Sequence, residues 1–220
     1  MLTAKELNIA DEYFKVLKIV RRRTARPMVA ALVGLVGSGT STVARRLARE
    51  IGGVLISGDA IRVLLRKNHL SYKNVRAIAE NIARRVIASG ANVVFDSDAV
   101  DSAKRQRLEI LARQTRARVL YIRLVTDPDV AFGRMISGTP DQFFVGASTP
   151  WRAAPRERGV VVKLRELWRR TPHHYQWNSK QGGRWELKKL PVKFSATIDT
   201  TDTKTWQRQI SQLAKRFRRA

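Results

Sequence analysis

The stretch Met28-Val-Ala-Ala-Leu-Val33, running into Gly34-Leu-Val-Gly37-Ser38-Gly39-Thr40-Ser41-Thr42, decides how this chain is read. Six consecutive apolar residues have the character of a short strand buried on both faces. The glycines that follow let backbone N–H groups curl around phosphate oxygens, and a helix opening near Ser41 adds the positive end of its dipole. Strand, Gly-rich turn and helix in that order define a phosphate-binding loop. Gly34, Gly37, Ser38, Gly39, Thr40, Ser41 and Thr42 are its nucleotide-contacting positions, and the Ser41 hydroxyl is placed to hold Mg²⁺. The departure is Thr40, where the motif ordinarily has a lysine that reaches the β- and γ-phosphates. A threonine offers a hydroxyl and no charge. Losing one charge-assisted contact costs about 1.5–3 kcal/mol, so the amide cradle still binds nucleotide while turnover depends on a substitute cation.

Outward from this loop the chain alternates strands with helices. An amphipathic helix is expected over 4–22, with Leu7, Ala10, Phe14, Leu17 and Val20 at helical spacing and Arg21-Arg22-Arg23 at its negative end. Short apolar strands follow at 54–56, 92–95, 118–125 and 196–198, with helical segments at 60–67, 72–89, 101–115, 128–136 and 203–218. This pattern predicts an α/β three-layer sandwich around a five-stranded parallel sheet. The organisation expected is an N-terminal helix at 1–26 and one domain at 27–220. Within that domain, 138–194 is a late insertion. Its first part, 137–159, reads as an irregular lid, and a β-hairpin around Ser179–Gly183 closes it.

Composition narrows the classes. The 220 residues contain no cysteine, which excludes disulfides, thiolate zinc sites, iron–sulfur clusters and cysteine nucleophiles. No apolar run is long enough to span a membrane, and Glu6, Asp11 and Glu12 fit no targeting leader, so a cytoplasmic location is expected. Lys and Arg number 43 against 18 Asp and Glu, a formal net charge of +25. Residues 151–220 carry net +13, against net +12 for the much longer 1–150, and hold all five tryptophans. A polyanion such as nucleic acid is one partner this charge suits; a general basic bias is the plainer reading. Trp168, Trp177 and Trp185 either stack on bases beside Arg169, Arg170, Arg184 and Lys188 or pack the hairpin onto the domain. His173-His174-Tyr175 reads as hairpin surface.

Three segments together, Gly34–Thr42, Leu55-Ile-Ser-Gly-Asp59-Ala-Ile-Arg62 and Gly90-Ala-Asn-Val-Val-Phe-Asp96, resemble the P-loop small-molecule and polynucleotide kinases. That group includes adenylylsulfate kinases, polynucleotide 5′-hydroxyl kinases and the AAA-like predicted kinases. The resemblance covers 28–137 well and 195–218 more loosely. It implies strand order 2-3-1-4-5, use of Mg-ATP and a basic lid. It makes Asp59 the base for the acceptor hydroxyl and Arg62 the group that binds an acceptor phosphate or sulfate. It places Arg134 near the nucleotide, and Thr200, Thr201 and Asp202 by the adenine. Asp59, at the C-terminal edge of a strand beside the loop, points into the crevice where ligands sit, though Asp is also a good N-cap for the helix at Ala60. Asp96 follows Val93-Val94-Phe95 as a Mg²⁺-holding carboxylate does. Asp98 competes for that role, or caps the helix near Asp101. Cations at Arg152, Arg156, Arg158, Lys163 and Arg165 are candidates to replace the charge missing at Thr40.

Two functions of different class follow. One is an ATP-dependent phosphotransferase acting on a hydroxyl of a phosphorylated small molecule or nucleic acid. The other is a catalytically weak kinase-fold protein bound to RNA or a ribonucleoprotein. A nucleotide sensor without turnover is a third.

Overall fold

The computed structural model describes residues 1–137, 160–202 and 204–219. Its centre is β1 (Met28–Val33), fully buried along its length. It pairs in parallel with β3 (Asn92–Asp98) on one side and β4 (Arg118–Val125) on the other. β2 (Gly53–Ser57) and β7 (Ala196–Asp199) complete a sheet of order β2-β3-β1-β4-β7. This is the expected five-stranded order, with the last strand numbered seventh because a hairpin intervenes. That hairpin joins β5 (Tyr175–Asn178) to β6 (Arg184–Leu187) in antiparallel register, Trp177 opposite Trp185.

The period-2 geometry of β1 makes the three layers. Val29, Ala31 and Val33 enter a core shared with α1 (Ala4–Lys15), α3 (Gly58–Lys67), α4 (Val75–Ala88) and α5 (Ser102–Thr115). Met28, Ala30 and Leu32 enter the opposite core with α2 (Thr40–Ile51) and α8 (Trp206–Arg219). A third cluster packs Leu35 of the loop against Ala131 and Met135 of α6 (Pro128–Ser137), Leu167 of α7 (Val160–His174) and Tyr175. The described part of the insertion is thus seated on the phosphate loop itself. Of the irregular segment expected at 137–159, Ser137 ends α6 and the rest, with Arg152, Arg156 and Arg158, lies outside the described residues, as does the side chain of Lys163.

Buried polar groups close the sheet's lower edge. Asn92 accepts from the Met28 N–H at 2.8 Å and donates to the Ile51 carbonyl at 2.8 Å and the Thr24 hydroxyl at 3.0 Å. One side chain therefore satisfies three backbones or loops that would otherwise bury unpaired groups.

Several sequence expectations are corrected. The first helix stops at Lys15 instead of reaching residue 22, and Val16 closes it by donating to the Phe14 carbonyl. Beyond it, Arg22 and Arg23 donate their backbone N–H groups to Gly90 and Ile51 carbonyls, so this segment follows the sheet edge. Those tertiary bonds outweigh helical periodicity, and Arg21–Arg23 cap no helix. The buried face of α1 is Glu6, Ile9, Ala10 and Tyr13, while Leu7 is exposed. β3 runs on to Asp98, with an irregularity in which Phe95 faces Ala31 and Asp98 faces Leu32. His174 and Tyr175 are buried, not hairpin surface.

Candidate active site

The loop adopts the conformation its glycines were read to require. Gly37 sits at φ +86°, and a Cβ there would stand 2.7 Å from the Ala131 carbonyl oxygen. Gly39, at φ +77°, caps α2 with open space around its Cβ position. These two positions need a left-handed backbone, and Gly37 also needs the absence of a side chain against α6. Thr40 and Ser41 open α2 directly after them. The loop is braced from behind: the buried Thr200 hydroxyl donates to the Ser38 carbonyl at 2.8 Å. Thr200 also shares a short hydrogen bond with Thr126.

Across the loop, the Ser41 hydroxyl donates to Asp96 Oδ1 at 3.0 Å. A hydroxyl and a carboxylate in hydrogen-bond contact at the mouth of an amide cradle are the hard oxygen donors that Mg²⁺ takes alongside phosphate oxygens and water. The residues present therefore fit a magnesium-bound nucleotide. Asp98, the competing carboxylate, is turned elsewhere. Its Oδ2 accepts from Arg170 Nη1 at 2.8 Å and lies 3.2 Å from His174 Nε2, both on α7, and its Oδ1 accepts from the Val100 N–H. Burial pushes its carboxyl up, but the His174 contact and the Arg170 and Lys104 charges outweigh that and hold it below the ordinary carboxylate value.

Asp59 lies in the first turn of α3 and pairs with Arg62 Nη1 at 2.6 Å. It does not cap the helix. That position belongs to Ser57, whose hydroxyl accepts from the Ala60 N–H. Arg134 donates to the carbonyls of Thr200 and Thr201 at 2.6 and 3.0 Å, clamping the segment after β7. Thr200 is committed to the loop, and neither it nor Thr201 nor Asp202 is among the residues lining the cleft.

Gly34, Gly37, residues 39–42, Asp59, Arg62, Asp96, Asp98 and Arg134 border one cleft of about 1010 Å³. The sequence reading missed several of its walls. Glu80 of α4 holds Arg107 of α5 through two contacts of 2.5 and 2.6 Å. Lys104 and Arg170 also line it. The first helix supports it from outside. The Tyr13 hydroxyl accepts from the Ser57 N–H at 3.0 Å, just before Asp59, and Glu6 accepts from Asn74 at 2.8 Å. Burial raises the Tyr13 phenol's pKa, the Ser57 N–H opposes this, and the Asp96 charge adds to the rise. The Thr3-x-x-Glu6 capping box was the available sequence signal for α1's rigid start.

The fold is an α/β sandwich around a five-stranded parallel sheet, like that of the P-loop kinases, and comparison with known proteins agrees on the fold. Residues 29–136 match the family model described as an AAA domain. A candidate kinase from Chloroflexus aurantiacus superposes with a TM-score of 0.59 at 20% identity, over 87% of this chain and 98% of that one. A component of the PezAT chromosomal toxin-antitoxin system of Streptococcus pneumoniae gives 0.51 at 16% identity, over 62% of each chain. A gluconokinase from Sinorhizobium meliloti gives 0.47 at 18% identity, over 88% and 92%. At these identities the first two likenesses are ones of fold alone. No curated protein sequence matches the chain significantly. Among the described residues no helix is long and apolar enough to cross a membrane.

Proposed function

We propose that this protein is a Mg-ATP-dependent phosphotransferase acting on an alcohol. The observation that carries the reading is the 3.0 Å contact between Ser41 and Asp96 at the mouth of the glycine loop. Ser41 and Asp96 would hold Mg²⁺, which neutralises phosphate charge when bound, and the loop amides from Gly34 to Thr42 would hold the nucleotide phosphates. Asp59 is the group in the same cleft suited to accept the acceptor's proton. In the reaction the acceptor O–H bond gives its proton to Asp59 and its oxygen bonds the γ-phosphorus, as the bond from that phosphorus to the bridging oxygen breaks and ADP leaves. Arg62 pairs with Asp59 and lines the same cleft, where it would bind an acceptor phosphate or sulfate. Arg134 acts by fixing the segment behind the loop.

A second reading, a kinase-fold protein sitting on RNA, draws on Thr40, on the charge of +25, and on the exposure of Trp168 and Trp177, at 82% and 55%.

Calorimetric titration of Mg-ATP into nucleic-acid-free protein tests the first reading. Micromolar binding that is lost in Ser41→Ala and weakened when Mg²⁺ is chelated is the expected result. Absence of binding up to millimolar ATP, with tight and salt-sensitive RNA binding, would replace it with the second.

A further inference from the structure

α2 and α8 lie side by side over the core of Met28, Ala30 and Leu32 and form the outer layer on that side of the sheet. Together they carry eight cations and a single carboxylate, Glu50. The helices of the opposite layer, α1, α3, α4 and α5, carry twelve cations and six carboxylates, so the excess charge is not spread evenly. Glu50 is used up in the seam between the two helices. Its Oε1 lies 3.1 Å from Arg46 Nη2 and accepts from the Ser211 hydroxyl at 3.1 Å, and its Oε2 lies 3.5 Å from Arg218 Nη2. Arg49, Arg208, Lys215, Arg216 and Arg219 are left exposed, with no ion pair among the described residues. Helical spacing turns them outward. Arg49 lies opposite the buried Leu47 and Ile51, and the four on α8 lie opposite the buried Ile210, Leu213, Ala214 and Phe217. Arg208 stands in the first turn of α8, where the helix dipole disfavours a cation, so helix stabilisation does not account for it.

We infer, independently of what the cleft catalyses, that the outer face of α2 and α8 binds a nucleic-acid duplex through its phosphate backbone. Extent argues for a polymer. From Arg208 to Arg219 the cations run about 16 Å along α8, and Arg49 stands on a neighbouring helix whose axis is about 8–10 Å away. That spread exceeds one phosphate group and suits a row of them, whose condensed counterions are released on binding. Chemistry argues for a duplex. Among the described residues, no exposed large apolar side chain lies on α2 or α8. The face therefore lacks the rings on which single-stranded bases stack, the apolar stripe that seats a helix in a lipid surface, and the anchor of a protein interface. The exposed Gln207 and Gln212 add uncharged donors for phosphate oxygens among the cations. A flat, outward and all-cationic helix layer matches a partner that offers charge on its outside and keeps its bases stacked within.

The test measures binding of short RNA and DNA duplexes to the full chain, freed of nucleic acid, over a range of salt. The triple variant Arg208→Gln, Lys215→Gln, Arg219→Gln should weaken duplex binding at least about tenfold. It should also make the slope of log K against log salt shallower by about 2.7, at about 0.9 for each lost phosphate contact. None of the three lines the cleft, so Mg-ATP affinity should stay within about twofold. A second triple, Lys5→Gln, Lys15→Gln, Arg113→Gln, removes the same charge from exposed positions of the opposite layer. It should change duplex affinity less than about threefold, because charges beyond a Debye length are screened. Loss of either duplex in the first triple alone supports the inference, and the ratio of the two affinities tells RNA from DNA. Equal losses in both triples would assign binding to overall charge and overturn it. So would no duplex binding by the natural protein at about 0.15 M salt, or tighter binding of single strands that the first triple leaves intact. Capture by anionic phospholipid vesicles that the first triple abolishes, with duplex binding unchanged, would give the face to a membrane instead.

Discussion

The hydroxyl of Tyr13, on the first helix, accepts a hydrogen bond from the backbone N–H of Ser57 at 3.0 Å, two residues before the candidate base Asp59. A helix that stands outside the phosphate loop in sequence thereby fixes the strand end that aims the base. Tyr13→Phe removes the acceptor and leaves the Ser57 N–H unpaired, a loss of about 1–2 kcal/mol in stability. Tyr13 is a positioning residue, so kcat should fall while the dissociation constant for Mg-ATP stays unchanged. Denaturant unfolding together with a split of kcat from KM checks both parts.

Asp59→Asn keeps the shape of the side chain and removes its capacity to take a proton. Turnover is expected to drop about 10²–10⁴-fold, with Mg-ATP affinity within about twofold of the natural protein. Steady-state phosphotransfer beside a binding isotherm measures this. Full activity in the variant would take the base assignment away from Asp59.

Thr40→Lys restores the charge that the loop lacks. Thr40 lines the cleft, so a longer side chain there extends into it. Mg-ATP affinity should rise about ten- to a hundredfold, from one added charge-assisted contact of about 1.5–3 kcal/mol, and turnover should rise with it. An unchanged isotherm would mean that a cation elsewhere in the chain already serves the nucleotide phosphates.

Asp98 links acid stability to the seating of α7. Its carboxyl is held below 3.8 despite burial, through His174, Arg170 and Lys104. A depressed folded value means the unfolded chain binds the proton more readily. The stabilisation is therefore fully present above about pH 4 and is lost as pH falls through the lower folded value. Asp98→Asn leaves Arg170 and His174 without their carboxylate and should cost about 3 kcal/mol near neutral pH. The gap to the natural protein should close on acidification. Thermal melts of both proteins from pH 7 down to pH 3 follow this, and a constant difference across that range would refute the linkage.

What the sequence determined by itself is the part governed by local rules. An all-apolar strand, glycines where the backbone must turn left-handed, and hydroxyls at the helix start place the loop. The alternation of short apolar strands with helices fixes the layer architecture. Asp59 and Asp96 stood out in the sequence because each closely follows a short apolar run, although the fold places Asp59 in the first turn of α3 and Asp96 within β3. Tertiary structure alone decided which side chains meet across the fold. The choice of Asp96 over Asp98 for Ser41 depends on an irregularity in β3 and on α7 claiming Asp98 with Arg170 and His174. The end of α1 at Lys15 depends on backbone bonds to Gly90 and Ile51, remote in sequence. The contact of buried His174 with Asp98 joins residues 76 positions apart. Hydrogen bonds and charge pairs between distant segments leave no periodic trace in a sequence, because each partner alone looks like an ordinary surface residue.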